Sequence, residues 1–425
     1  MQFKSFALVS ALAASALAQS TSSASAATAS TSISIASGCS FTETATATAQ
    51  SDLDDLNSCV AIKGDVYITG SLGSAALDNV QAIYGSLTID NATSLASFSA
   101  GSLGAITEQF NLQSLTILST LNLPALSTVG SVNFVTLPAL SSINLNTGVT
   151  QVNSLYISDT SLETLDGFDI TSLDTFNVNN NKNLASIDSQ LQNVKVALEV
   201  SYNSENVEVT FDELEWANNI TFRDGASVSL AKLSSVNASL GFINNSITEI
   251  DLATLSTIGG SLSIVSNDEL ESLDFTNLTS ISGGFVISNN SALNNISGFD
   301  SLETVGGAVI FQGNFTNASL PSLRRVSGGF TVESEGELDC DEFNSLNSKG
   351  VIQGDSYVCS AASTSTSVQV SSTASGDDSS SSSTHSSSAT ASNSASSSSS
   401  KAGAGSVTVG ASFLTAFAGF MLALL

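Results

Sequence analysis

A short pattern of alternating apolar residues recurs along most of this 425-residue chain. In SLSIVSNDEL (261–270) and GFVISNNSAL (284–293), two apolar residues flank a variable one, and an asparagine follows three positions later. Such units begin every 20 to 25 residues, which is the spacing of a solenoid. Aligned on the first apolar residue, the series comprises Val66, Leu87, Leu112, Val132, Leu155, Phe176, Leu198, Ile220, Leu240, Leu262, Phe285, Val309 and Phe330.

The rest of each unit is also typical of β-strands. After Asn267, Leu273 and Phe275 flank a polar residue, and the unit ends at the glycine pair 283–284. Period-two alternation indicates strands, and glycine pairs indicate corners. Leucine-rich repeats share the apolar pattern but place a helix where this chain keeps strand alternation. The sequence therefore predicts an all-β fold, a right-handed parallel β-solenoid with leucine-rich-repeat-like coils of about 22 residues.

The recurrent asparagine has a physical explanation in such a stack. Equivalent residues of neighbouring coils lie about 4.8 Å apart. An asparagine at a fixed corner can bond the backbone of its own turn and the amide of the next coil, which satisfies polar groups that would otherwise be buried without partners. The predicted members of this structural ladder are Asn181, Asn203, Asn245, Asn267 and Asn290.

The two ends of the chain carry targeting signals. Residues 1–18 combine an early lysine, an apolar run and an A-x-A cleavage site, which indicates a secretory signal peptide. Residues 403–425 begin with small residues and continue as an apolar tail, which indicates a GPI-attachment signal whose tail is removed. Gly403 is the expected attachment residue, with Ala402 and Gly405 as alternatives. We therefore expect the mature protein in the outer leaflet of the plasma membrane, held there by lipid.

The residues between these two signals fall into three segments of different composition. The repeat pattern extends over residues 39–360, the predicted solenoid. Residues 361–402 are so rich in serine and threonine that they cannot bury a core, and they are expected to form a disordered, O-glycosylated stalk. Residues 19–38 form a shorter Ser/Thr-rich segment of the same kind.

Secretion gives the four cysteines a structural meaning. An even number of cysteines in an oxidising compartment indicates disulfides, for which three pairings exist. Thirteen coils extend about 60 Å, whereas a disulfide needs Cα atoms within about 7 Å. We therefore expect two local pairs that close the caps of the solenoid: Cys39–Cys59 and Cys340–Cys359.

N-glycosylation sequons are frequent in the same region. Their density in a secreted chain predicts modification of exposed turns. Asn314 also falls on the ladder position, where burial would prevent modification. The predicted sites are Asn91, Asn219, Asn237, Asn244, Asn277, Asn289, Asn295, Asn314 and Asn317.

Charge and histidine content exclude several function classes. The chain has 10 Lys and Arg against 38 Asp and Glu, a formal net charge of −28, which disfavours nucleic acid as a partner. The single histidine, His385, lies in a serine tract, which excludes Ser–His–Asp and Cys–His catalysis and His-ligated metals. We expect no cofactor, and any catalysis would depend on carboxylates or lysine.

Two acidic clusters and one tryptophan are the remaining candidates for chemistry. A carboxylate pair could hydrolyse glycosides, and a carboxylate cluster could hold calcium. We favour the interpretation that these charges lie on a solvated outer face or cap edge. Trp216 could stack on a sugar, although a partly buried packing role is favoured. The clusters comprise Glu205, Glu208, Asp212, Glu213 and Glu215, and Glu333, Glu335, Glu337, Asp339, Asp341 and Glu342.

Several longer strings resemble one protein family. They include ATATAQSDLDDLNSC (45–59), GSLGSAALDNVQAIYGSLTI (70–89), WANNITFRD (216–224), VNASLGFINN (236–245), GGSLSIVSNDEL (259–270) and IQGDSYVC (352–359). The chain resembles the fungal GPI-anchored cell-wall organisation proteins, of the yeast "extracellular mutant" and sporulation-specific type, whose repeats are related to receptor L-domains. The resemblance implies a surface glycoprotein needed for wall integrity, without catalytic residues to carry over.

These observations lead to one main hypothesis and two alternatives. We expect a non-enzymatic glycoprotein of the cell surface or wall that binds wall polysaccharide, such as β-glucan, or wall glycoproteins. The first alternative is a glycan-active β-helix enzyme, which would need basic residues beside its carboxylates. Only Arg324 and Arg325 are adjacent among the basic residues of the coils. The second alternative, a receptor of L-domain type, is weakened because the sequence offers no cytoplasmic segment.

Overall fold

Short parallel strands, one per coil, form the first face of the solenoid. The computed structural model describes residues 34–362. The predicted parallel β-solenoid is confirmed, because each first-face strand pairs in register with that of the next coil. These strands are Ala45–Ala47, Val66–Ile68, Leu87–Asp90, Ala105–Gln113, Thr128–Leu137, Ser154–Thr160, Ser172–Asn179, Asn193–Ser201, Ile220–Arg223, Leu240–Ile243, Leu262–Val265, Phe285–Ser288, Val309–Gly313, Phe330–Ser334 and Tyr357–Ser360.

One predicted coil start is wrong by two residues. Phe110, rather than Leu112, pairs with Leu87 on one side and Val132 on the other. Both Phe110 and Leu112 point inward and are buried. A slip of two residues preserves the inward and outward alternation, so the apolar pattern alone cannot distinguish the two registers. With this change, coil starts from Val66 to Phe330 are 20 to 24 residues apart.

The second face precedes the first in each coil and belongs to the same sheet. Four long strands, such as Ala105–Gln113, run through both faces with a bend between them. Elsewhere the second-face strands are separate and short. They are Ala61–Lys63, Ala82–Tyr84, Trp216–Ala217, Ser235–Val236, Thr257–Ile258, Ser280–Ile281, Thr304–Val305 and Arg325–Val326.

The third face is divided into four small sheets instead of one continuous sheet. The first contains Ser74–Ala76, Ser97–Ser99, Thr120–Asn122 and Ile143–Asn144, and the second contains Ser186–Asp188, Glu208–Thr210 and Ser227–Ser229. The third contains Glu249–Asp251 and Ser272–Asp274, and the fourth contains Asn295–Ile296 and Asn317–Ala318. The three faces enclose one continuous apolar core, in which phenylalanine rings of successive coils contact each other.

Two short helices at the ends of the solenoid were not predicted from the repeat. Helix α1 (Gln50–Leu56) buries Leu53 and Leu56, and helix α2 (Asp341–Ser348) buries Phe343 against the Phe330 ring. The Asp52 carboxylate accepts the backbone N–H groups of Thr48 and Ala49, which lowers the pKa of this carboxyl group. Within residues 34–362, no helix has the length and apolar character required to cross a membrane.

The first face ends at a corner where the backbone adopts a left-handed conformation. Ten non-glycine residues on consecutive coils have φ between 54° and 58°. Asparagine and aspartate tolerate this region best, and they occupy six of the ten corners. The corner residues are Asn91, Ser114, Thr136, Asp159, Asn180, Tyr202, Asp224, Asn244, Ser266 and Asn289.

A column of stacked glycines forms the bend between the second and first faces in the C-terminal coils. The Gly283 N–H donates to the Gly260 carbonyl, and the Gly307 N–H donates to the Gly283 carbonyl. A Cβ atom on Gly283 would lie 2.7 Å from the Gly260 carbonyl carbon and 2.6 Å from Ser261 Oγ. A side chain at Gly283 would therefore collide with the preceding coil.

We predict that Gly283→Ala lowers the free energy of unfolding by about 1–3 kcal/mol, because the added methyl group overpacks backbone that cannot move freely. Gly73→Ala is the matched control, since no atom lies within 4 Å of the Cβ position there. Urea unfolding followed by circular dichroism measures both changes. Equal midpoints for the two variants would contradict the steric explanation.

Candidate functional site

The four cysteines form the two local disulfides that were expected. Cys39 pairs with Cys59, with Cα atoms 5.8 Å apart, and Cys340 pairs with Cys359, with Cα atoms 6.0 Å apart. The first disulfide connects the turn after α1 to the N-terminal edge, and the second connects the start of α2 to the last first-face strand. Each pair therefore closes one cap of the described solenoid.

The five predicted ladder asparagines are buried directly after the left-handed corners. Asn267 shows the full pattern, because its amide makes four hydrogen bonds. Its Nδ2 donates to the Phe242 carbonyl at 3.0 Å and to Asn290 Oδ1 at 3.1 Å. Its Oδ1 accepts from the backbone N and the Nδ2 of Asn245, at 3.0 Å and 2.9 Å. The backbone partners belong chiefly to the preceding coil, rather than to the asparagine's own turn as expected.

Gly225 divides the ladder into two runs. It occupies the ladder position between Asn203 and Asn245, and its N–H donates to Asn245 Oδ1 at 3.0 Å. At the N-terminal end, Thr160 takes the equivalent position and donates its N–H and hydroxyl to Asn181. Earlier coils carry apolar residues there, such as Leu137. Within the described residues, no buried side-chain nitrogen or oxygen lacks a partner.

Eight of the nine sequon asparagines are exposed in the structure, and Asn219 is partly buried. Asn314 is among the exposed ones, so the expectation that the ladder would bury it is wrong. Its first-face strand continues to Gly313, one residue further than the preceding strand, and Phe315 turns inward instead. Modification at the nine sites stays a prediction.

The acidic clusters lie on the outside of the coils and at the C-terminal cap. Glu213 forms a 2.6 Å ion pair with Lys232 of the next coil, and both side chains are largely exposed. Glu342 accepts the Leu320 N–H at 2.9 Å, and the Asp339 carboxylate accepts the Asp341 N–H at 2.8 Å. Among residues 34–362, no three carboxylate, cysteine or histidine side chains form a group that could hold a metal ion.

Trp216 lies on the second face beside Asn193 and Ser235 of the neighbouring coils. Its side chain is partly exposed, while the next residue, Ala217, points into the core. The tryptophan is thus neither enclosed by the core nor placed beside an acidic pair in the same strand.

A row of planar polar side chains follows the outside of the first face. We call Asn111, Asn133, Tyr156, Asn177 and Glu199 the outer row, because they occupy the middle, outward position of five consecutive strands. All five are partly exposed. Sequence analysis missed this row, although its signal is visible as the variable residue between two apolar ones.

Hydrogen bonds between coils hold parts of the outer row. Asn133 Nδ2 donates to Asn111 Oδ1 at 2.8 Å, and Asn177 Nδ2 donates to Glu199 Oε2 at 3.0 Å. A second set of hydroxyl and amide groups lies two residues after the outer-row position in the same strands. There, Asn179 Nδ2 donates to Asn177 Oδ1 at 2.6 Å, and Ser201 Oγ donates to Glu199 Oε1 at 3.0 Å.

The chain is similar to several fungal proteins. The chain is 44% identical over 338 residues to the cell wall mannoprotein PST1 of Saccharomyces cerevisiae, covering 76% of this chain and 72% of the relative. It is 36% identical to the cell surface GPI-anchored protein ECM33 of Candida albicans, covering 72% and 75%. It is 33% identical to the cell wall protein ecm33 of Schizosaccharomyces pombe, covering 76% and 77%.

The chain belongs to this fungal family of cell-wall and cell-surface proteins. The family resemblance expected from the sequence is thereby confirmed, and so is a location at the cell surface or wall. No family model and no solved structure matches the chain. The signal peptide (1–18), Gly403, the attachment signal and nearly all of the predicted stalk lie outside the described residues.

We predict that Asn267→Ala lowers the free energy of unfolding by at least about 2 kcal/mol, because each buried partner left unsatisfied costs about 1–3 kcal/mol. Asn144→Ala is the control, since Asn144 makes a comparable amide bond to Asn122 at 2.6 Å on the exposed third face. Thermal and urea unfolding of both variants measure the difference. A loss of stability as small as that of the control would show that the ladder is not needed.

Proposed function

We propose that this member of the fungal family is a non-enzymatic, GPI-anchored glycoprotein that organises the cell wall by holding wall β-glucan against the outer face of its solenoid. The outer row carries this proposal. Its side chains repeat along the solenoid at the spacing of parallel strands, about 4.8 Å. A polysaccharide presents hydroxyl groups that also repeat along its chain, so one polymer could contact several coils in succession.

The chemistry of the outer row suits a neutral polysaccharide. Amide and carboxylate groups exchange hydrogen bonds with hydroxyls, and the Tyr156 ring offers an apolar surface to the C–H face of a sugar. Because Asn177 and Glu199 are held by bonds to each other, less side-chain freedom is lost when a ligand binds. A wall glycoprotein could bring the same sugars to this face as attached glycans.

Two observations support a role other than catalysis. Several carboxylates of the acidic clusters are engaged by structural partners, as in the Glu213–Lys232 ion pair and the Glu342 contact with Leu320. The relatives are named as cell-wall and cell-surface proteins. The relative from Candida albicans is named as GPI-anchored, which supports the same attachment at Gly403 of this chain.

We predict that Tyr156→Ala weakens retention of the protein on insoluble β-1,3-glucan at least about fivefold, because the row loses its aromatic surface. Tyr84→Ala is the matched control, since Tyr84 is a partly exposed tyrosine on the second face. Cosedimentation of the purified full chain with glucan particles measures binding. Unchanged retention of the Tyr156 variant would remove the outer row as the binding surface.

We also predict that ending the chain after Lys401 releases the protein into the medium and abolishes its function in the wall, while its binding to glucan particles is retained. The reason is that the attachment signal is lost while the solenoid is unchanged. Immunoblotting of medium and wall fractions measures release. Full rescue of a deletion strain by the shortened chain would contradict the anchoring part of the proposal.

A further inference from the structure

A cleft opens on the third face where two of its small sheets fail to meet. The strand Ser227–Ser229 pairs with Glu208–Thr210 on one side, and Glu249–Asp251 pairs with Ser272–Asp274 on the other. These inner strands belong to adjacent coils, yet they do not pair with each other. The cleft between them has a volume of about 470 Å³.

The two unpaired strands start at different points of their coils. The third-face strand begins seven residues after Ile220 in one coil but nine residues after Leu240 in the next, although Ile220 and Leu240 are paired on the first face. Such an offset does not by itself prevent pairing, since Glu208–Thr210 begins ten residues after Leu198 and still pairs with Ser227–Ser229. The strands on the two sides of the cleft are nevertheless unpaired with each other. The backbone edges of both strands therefore border the cleft.

The two coils are joined again at both ends of the cleft. The Ser246 N–H donates to the Gly225 carbonyl at 2.9 Å before the break. After the break, Thr254 Oγ1 donates to the Leu233 carbonyl at 2.9 Å, and the Ser256 N–H donates to the Ser234 carbonyl at 2.9 Å. The cleft is consequently closed at its ends and open only toward solvent.

The lining of the cleft combines a small apolar floor with a polar rim. Ile247 is buried and Val228 is partly buried in the floor. Ser227, which is exposed, lines one side of the rim, whereas the Ser229 hydroxyl donates to Asp212 of the preceding coil. Glu249 and Asp251, both exposed, supply carboxylates on the other side. The volume lies within the range of about 300–1,000 Å³ that small-ligand sites occupy.

The polar groups of the rim have acceptor capacity to spare. Within residues 34–362, the Glu249 carboxylate has no hydrogen-bond partner, and Asp251 uses one oxygen to accept the Ala253 N–H at 3.2 Å. Among the residues that the structure describes, no lysine or arginine lines the cleft. Anionic ligands are therefore disfavoured, whereas a neutral ligand with neighbouring hydroxyls can donate to the carboxylates while its C–H groups pack on the floor.

An extended peptide is the competing occupant, because free strand edges can pair with an added strand. A strand inserted between two others needs about 9.6 Å between them, twice the strand spacing. The hydrogen bonds at Gly225 and Leu233 hold the coils together at both ends and oppose such an opening. The closed shape favours a short ligand over a strand that must continue past both ends.

We propose that this cleft is a second glycan site, which binds a short stretch of a neutral wall oligosaccharide. The proposal rests on the proposed function for the class of ligand, but it uses different residues from the outer row. A long polymer would lie along the first face, while a chain end or side branch would enter the cleft on the third face.

Calorimetric titration of the purified full chain with a linear β-1,3-glucan hexasaccharide tests the site. We expect Ser227→Trp to weaken binding at least tenfold by filling the cleft. Ser74→Trp should leave binding unchanged, since Ser74 is also an exposed first residue of a third-face strand but lies far from the cleft. If Ser227→Trp fails to fold, the Glu249→Gln, Asp251→Asn variant replaces it and should weaken binding at least threefold.

The outcomes separate this proposal from the proposed function. Tyr156→Ala should reduce retention on glucan particles without changing hexasaccharide affinity in the cleft. The cleft proposal would be overturned if neither Ser227→Trp nor the carboxylate variant changed the affinity for the hexasaccharide. It would also be overturned if the unaltered chain did not bind the hexasaccharide, even if the outer row still retained the protein on glucan particles. A synthetic peptide of residues 363–382 tests the competing occupant. If the unaltered chain bound this peptide instead of the hexasaccharide, and Ser227→Trp abolished peptide binding, the cleft would be a peptide site and the proposal would be overturned.

Discussion

The stack depends on how each coil turns out of its first-face strand. At this corner one residue adopts φ near 56° and the next points inward, as Ser266 and Asn267 do. A turn inside a protein places backbone N–H and C=O groups where water cannot reach them, and each group left unpaired would cost about 1–3 kcal/mol. The asparagine amide bonds the groups of the preceding coil and the amide of the following one. In the coils that carry the ladder, each turn is thus completed by its neighbours, so these coils depend on the stack.

This constraint acts on one corner and leaves the others free to vary. Coil starts are separated by 20 to 24 residues, yet first-face strands remain in register throughout. The differences in length are absorbed on the third face, which is divided into four sheets. The first face of the solenoid is therefore regular, and its third face is irregular. The regular face repeats one position along five coils, whereas the break at Ser227–Ser229 creates a single cleft. The proposed site on the outer row therefore extends over five coils, whereas the proposed site in the cleft is confined to two adjacent coils.

The features that repeat were predictable from the sequence, and those that arise between coils were not. Burial of the ladder asparagines follows from the period of the repeat, and the local disulfides follow from the coil count, which sets the distance between the two ends. The sequence cannot distinguish a coil start at Leu112 from one at Phe110, because both registers place the same side chains inward. Helices α1 and α2 each contain too few turns to show a periodic pattern. The cleft depends on a missing pairing between third-face strands of adjacent coils, which becomes visible only in the structure.

A strongly acidic chain with few cations restricts what these surfaces can hold. With a net charge of −28, the protein repels anionic polymers at long range, but uncharged glycans experience no such barrier. Neutral sugars bind weakly at any single contact, because each hydrogen bond replaces one with water and contributes only about 0.5–1.5 kcal/mol net. A solenoid compensates by repeating the contact. Under the proposed function, five coils of the outer row would offer several such bonds to one chain at a reduced ordering cost, since hydrogen bonds between coils already hold four of the five side chains. Repetition in the protein would then match repetition in the ligand, and retention on the polymer should increase with the number of coils it contacts.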